Sequence, residues 1–229
     1  MLIERNVLVA VVVVSVGFAG VKIIQHSAGR DPETRNKLGR GYLTEGQLDK
    51  AVAEFRKAIE LKPDFAEAHN NLGLTYLRKE RYPESLTSFR RALEIQPNLP
   101  QAQTNLGDMY AKGKGVAQDE AEALRWYRSA AQQRYARAHD SMAWLYATSK
   151  DPALRSLPLA LEHANKAVEL SQGNNADFLL TLAGVHYANG ELDQAIAVLR
   201  RALALQPHDD FIKKQLQKWE EAKAAQADR

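Results

Sequence analysis

The sequence predicts an all-α protein: an α-solenoid of helical repeats preceded by one transmembrane helix. Three observations carry that prediction. Alanine and leucine are abundant, while glycine and proline account for only 13 and 8 of 229 residues, a balance that favours helices. A fixed set of small and large residues returns at a period of 34, the spacing of a stacked helical unit. Finally, Val7 to Ile24 reads VLVAVVVVSVGFAGVKII, an apolar run whose only charge is Lys22.

Composition narrows the function classes. With 45% apolar and 26% charged residues the chain is that of a folded protein. A net charge of +3 is too small to argue for a nucleic-acid partner. The absence of cysteine excludes disulfides, thiolate metal sites and cysteine nucleophiles, and suits an oxidising or a reducing compartment equally.

Residues 1–6 form a short tail ahead of the apolar run. As a helix, residues 7–24 would span about 27 Å, close to a bilayer's hydrocarbon core, with Lys22 near enough to the end to reach the interface. An uncleaved anchor is the expected reading. The alternatives are a signal peptide, whose best cleavage site is Gly17-Phe18-Ala19, and a buried soluble helix. Sidedness is balanced between two arguments. Lys22, Arg30, Arg35 and Lys37 follow the span and pull the remainder toward the cytoplasm. The order of a short charged start and an apolar run resembles an export signal, and the expectation leans to the periplasmic side.

Residues 25–31 are a linker, after which Asp31-Pro32-Glu33 supplies an N-cap, a proline at N1 and a carboxylate on the helix dipole. Leu38-Gly39, Tyr42, Ala51, Phe55, Ala58 and Pro63 then recur as Leu72-Gly73, Tyr76, Ser85, Phe89, Ala92 and Pro97. A third set is Leu182-Ala183, Ala195, Leu199, Ala202 and Pro207, with His186 in the tyrosine slot. These residues resemble the tetratricopeptide (TPR) pattern, which implies a right-handed stack of antiparallel helix pairs, A and B. The physics agrees: small residues at positions 8, 20 and 27 let helices approach, and large ones at 7, 11 and 24 fill the space. Proline then stops each second helix.

The third unit departs from the period. Leu106-Gly107 and Tyr110 are in register, but four extra residues precede Ala123, Tyr127 and Ala130. The run through Gly113-Lys114-Gly115-Val116, Asp119 and Trp126-Tyr127 resembles the Sel1-like repeat, a longer relative of TPR. Its glycines suit an extended turn that needs positive φ, and Asp119 suits an N-cap. A nucleotide-binding loop is rejected: Gly107 and Gly113 are wrongly spaced, and Lys114 is followed by Gly115 rather than Ser or Thr. A fourth unit starts at Met142-Ala143, with a long connector expected over 147–159 before Ala160, Ala164 and Ala167. The expected organisation is therefore two TPR units over 32–99, two Sel1-like or variant units over 100–175, and a TPR unit over 176–209. A capping helix and tail occupy 210–229, with Phe211, Ile212, Leu216 and Trp219 as its apolar stripe.

No catalytic constellation, cofactor site or metal spacing stands out, and no enzyme activity is expected. His69 and His139 read as packing residues. Arg56-Lys57, Arg90-Arg91 and Arg200-Arg201 fall on the outer side of the B helices and read as a solvated face. The resemblance implies a concave groove lined by A-helix positions 2, 5, 6, 9, 12 and 13. Here these include Asn36, Arg40, Leu43, Asn70, Asn71, Leu74, Arg78, Asn105, Asp108, Lys112, Trp144 and Tyr187. Only Asn71 matches the set that clamps a C-terminal carboxylate in some chaperone-binding relatives. The mixture of amides, arginines and a few apolar groups suits a helix or extended peptide instead. The expected function is a membrane-anchored scaffold that binds a protein or peptide and assembles or stabilises a membrane complex, with no nucleotide and no nucleic acid. Two alternatives are an accessory subunit held partly by its transmembrane helix and a periplasmic ligand-binding or enzyme-like protein.

Overall fold

A computed structural model describes residues 31–227. The expected transmembrane span, Val7 to Ile24, lies outside the described residues, and among those described no helix is long and apolar enough to cross a membrane. The described residues form eleven α-helices and no strand. In chain order these are α1 (Pro32–Thr44), α2 (Leu48–Leu61), α3 (Ala66–Arg78), α4 (Tyr82–Ile95), α5 (Pro100–Lys112) and α6 (Glu120–Ala131). They continue as α7 (Ala136–Thr148), α8 (Leu157–Leu170), α9 (Ala176–Ala188), α10 (Leu192–Leu205) and α11 (Asp210–Ala227). The chain divides into two compact units, one ending at Gln96 and one starting at Pro97.

In the first unit, α1 pairs with α2 and α3 with α4, and α2 and α1 both touch α3. The pairing follows from side-chain size. Ala51, Phe55 and Ala58 of α2 are fully buried, and Phe55 lies against Gly39 of α1. A Cβ on Gly39 would stand 2.6 Å from the Phe55 ring, and one on Gly73 would stand 2.7 Å from that of Phe89. A hydrogen there is what lets a full aromatic ring sit between the paired helices. Asp31 caps α1 as its spacing predicts, accepting from the Thr34 amide at 2.8 Å.

The second unit stacks α5/α6, α7/α8 and α9/α10, and α11 closes it against α10. Gly107 lies under Tyr127 by the same arrangement, at 2.6 Å for an added Cβ. In the next two pairs alanines (Ala143, Ala183) stand at the glycine position, and the ring position holds Ala164 and Leu199. Removing the ring makes room for the methyl. Gly113 ends α5 in the left-handed region, at φ 63°, and Lys114 donates its amide to the Met109 carbonyl at 2.9 Å. Asp119 caps α6 through the Glu122 amide. The glycine run is thus a helix terminus and a turn.

Two expectations change. The long connector is shorter than 147–159, because α7 continues to Thr148 and α8 starts at Leu157 with Ser156 as its cap. The remaining loop is pinned by the Ser156 amide donating to the Tyr146 carbonyl at 2.9 Å and by the buried Ser149. On α11, Ile212, Leu216 and Trp219 are buried, but Phe211 is 65% exposed. Phe211 sits about 100° around the helix from Ile212, outside the stripe that the other three form.

Candidate partner-binding site

The A-helix face of the first unit is built by α1 and α3. Asn36, Arg40, Asn71, Leu74 and Arg78 reach it at least in part, whereas Leu43 and Asn70 are buried. Leu43 packs with Leu72 and Tyr76, because the last turn of α1 is covered by the following helix pair. Two of these groove side chains also hold the stack together. Asn71 donates to the Asn36 side chain at 2.9 Å, and Arg78 donates to the Leu43 carbonyl at 3.0 Å, so both tie α1 to α3. Arg40 is exposed and lines a shallow depression with Asn36 and Lys37. Beneath this face Glu54 receives Arg35 at 2.7 Å and Lys57 at 2.9 Å. Burial opposes ionisation of Glu54, but the two cations outweigh it and hold the carboxyl below its usual value.

In the second unit a cleft of ≈ 340 Å³ opens along α5, α7 and α9. Asp108 is its hub. It accepts from the Tyr127 hydroxyl at 2.7 Å and from Arg137 at 2.6 Å, while the other terminal nitrogen of Arg137 donates to Asn105 at 2.9 Å. Burial and the Asp108 charge push the Tyr127 phenol up, so it stays a donor. Asn105 is therefore buried rather than presented. One turn beyond Arg137 stands Asp140, whose carboxyl is pushed up to about 6, chiefly by burial. Lys112 and Trp144 line the mouth, and Trp144 is 50% exposed. Tyr187 is also half-exposed, but one face of its ring stacks on Trp219 of α11 at 4.8 Å.

Of the twelve expected groove residues, the structure brings Asp108, Lys112 and Trp144 to this one cleft. Arg137, Asp140, Ser141 and Thr181 line it too and were not singled out from the sequence. The signal was there: counted in the register that selects Trp144, Arg137, Asp140 and Ser141 occupy A-helix positions 2, 5 and 6.

A second unforeseen cluster joins α7 and α8. Nδ1 of His139 lies 3.1 Å from Nδ1 of His163, and the His163 ring stacks on Tyr146 at 5.7 Å. Burial lowers both imidazoles, and for His139 the His163 charge adds to it. One shared proton satisfies the pair. Among the described residues no group of three or more His, Cys, Asp or Glu could hold a metal ion. The arrangement as a whole offers hydrogen-bond, charge and aromatic contacts rather than a nucleophile with an adjacent base.

Comparison with known proteins places these helices. A model described as TPR repeat matches residues 39–80, and models described as tetratricopeptide repeat match 66–99 and 175–219. The Sel1 repeat model matches residues 100–135, the α5/α6 pair with the long turn. No curated protein matches the chain. Among solved structures, the chain is similar to TTC0263, a thermophilic TPR protein of Thermus thermophilus, at 22% identity and TM-score 0.68, covering 82% of this chain and 98% of that one. YrrB, described as a TPR protein with an unusual peptide-binding site, gives 21% identity and TM-score 0.51, with 86% and 97% covered. The protective antigen c5321 of uropathogenic Escherichia coli gives 28% identity and TM-score 0.61, with 85% of this chain but 42% of that one covered. The chain thus carries tetratricopeptide repeats and a Sel1 repeat on the all-helical fold that such proteins share.

Proposed function

We propose that this protein is a membrane-anchored scaffold that holds a segment of a partner protein against its A helices, assembles or stabilises a membrane complex, and catalyses nothing. The observation that carries this reading is Trp144. Half of a large aromatic side chain is left in solvent beside a polar cleft, on the face formed by α5, α7 and α9. Exposed aromatic anchors ringed by charged groups are the usual centres of binding energy at protein interfaces. The peptide-binding site ascribed to YrrB supports extending peptide recognition to this chain. Anchorage rests on the apolar run from Val7 to Ile24, and the linker over 25–31 would keep the face near the bilayer. The charged start before that run favours export of the repeats. A photo-cross-linking amino acid at Trp144 should capture a discrete partner from intact membranes, whereas the same group at Arg90 should not. Capture from Arg90 alone would move the working surface to the outer helices.

A further inference from the structure

We propose that the cleft between α5, α7 and α9 is a subsite for one basic side chain of the partner, lysine or arginine, with Asp140 Oδ1 as its acceptor and Trp144 as its wall. The proposal rests on the scaffold reading above and names the chemistry that the partner must bring.

Asp140 is the reason. Its Oδ1 is buried and has no hydrogen-bond partner, although Thr181 reaches the carboxyl group. A buried carboxylate oxygen without a donor costs free energy that a bound cation would recover. Arg137 acts on it through charge, while its terminal nitrogens donate to Asn105 and Asp108. Charges around the group point the same way. From α5 come Asp108 and Lys112, from α6 the neutral Tyr127, from α7 Arg137, and from α9 Asp177 with its neighbour Thr181. Asp108 and Arg137 neutralise one another, so Asp140 and Asp177 stand against Lys112 alone. An incoming cation is favoured and an incoming carboxylate is not.

Shape agrees. Asp140 and Trp144 are four residues apart on α7 and so share one face of the helix. A cation on the carboxylate can also lie over the exposed indole, the arrangement of a cation–π contact. At ≈ 340 Å³ the cleft is of a size for one long side chain rather than a large ligand.

The test uses the full-length chain in mild detergent, labelled with fluorotryptophan, with the Trp144 resonance assigned through Trp144→Phe. The probes are short acetylated and amidated Ala-Gly peptides with one central Arg, Lys, citrulline or Glu. The Arg and Lys peptides should shift the Trp144 signal saturably, and the citrulline and Glu peptides should not. Asp140→Asn should weaken the response about tenfold or more, Lys112→Ala should preserve or tighten it, and acidification through about pH 6 should weaken it. A response to citrulline equal to that of Arg, a stronger response to Glu, no response to any probe, or an unchanged response in Asp140→Asn overturns the subsite. A partner released by Trp144→Ala but retained by Asp140→Asn keeps the scaffold reading and removes the subsite. Retention by both removes the scaffold reading.

Discussion

Replacing Gly73 by Ala places a methyl group 2.7 Å from Cδ1 and Cε1 of Phe89, a separation that real side chains do not adopt. Phe89 is fully buried and cannot swing into solvent, so either the ring leaves its rotamer or α3 and α4 separate. Overpacking of this kind costs about 1–3 kcal/mol, and the helix propensity gained by removing glycine returns about 0.5–1 kcal/mol. The net loss should be about 1–2 kcal/mol. The protein itself shows the remedy, since Ala183 stands opposite Leu199 rather than a ring. Phe89→Leu alone should cost about 1 kcal/mol, and adding it to Gly73→Ala should recover most of the first loss, a coupling of about 1–2 kcal/mol. Gly41→Ala is the control. Nothing lies within 4 Å of its added Cβ, so that variant should gain about 0.5–1 kcal/mol. Urea unfolding followed by circular dichroism reads all four variants through their midpoints, the first unit being compared with itself in each. A neutral Gly73→Ala, or a double variant whose loss is the sum of the single ones, would refute the packing argument.

Three further outcomes follow from named groups. Glu80 occupies the turn between α3 and α4 at φ 58°, where Gly46 and Gly190 stand in equivalent turns, so Glu80→Gly should stabilise the protein by about 0.5–1 kcal/mol, read as a higher urea midpoint. The folded Asp140 carboxyl keeps its proton up to about pH 6, against 3.8 ordinarily, so the folded state binds more protons in that window and stability rises as pH falls through it. Asp140→Asn should therefore stabilise the protein at pH 7 by about 1–3 kcal/mol and abolish that segment of the pH profile; a destabilised variant contradicts the burial of an uncompensated charge. His139 and His163 are held below 6.5, so their contribution is complete above that pH and is lost as acid protonates the unfolded chain first. His163→Phe should flatten the fall in melting temperature as the pH drops below about 6.5.

The repeat skeleton was legible because it is written in side-chain volume at fixed intervals. Ala51, Ser85, Ala123, Ala160 and Ala195 are all fully buried at one register position. Capping was legible for the same local reason: Asp31 and Asp119 need only the next three residues to act. The binding face was legible in part. Register identifies which side of an A helix looks toward the groove, but not how far the next pair covers it, which is why Leu43 and Asn105 are buried. Nor does register show charge pairing across repeats: Arg137 reaches Asp108 over a separation of 29 residues. The two histidines meet across the irregular loop between α7 and α8, where no repeat period places one residue against another.

The central claim, that a partner is held on the A-helix face, is tested most directly by purifying the full-length protein with its bound partner in mild detergent. Arg40 and Trp144 suit the test because both side chains are exposed. Replacing them together with Ala should shift stability by under about 0.5 kcal/mol for each site yet release the partner about tenfold more readily. Replacing Arg90 and Arg91, exposed on the outer side of α4, should leave the partner in place. Release by the outer pair with retention by the A-helix pair would contradict the account.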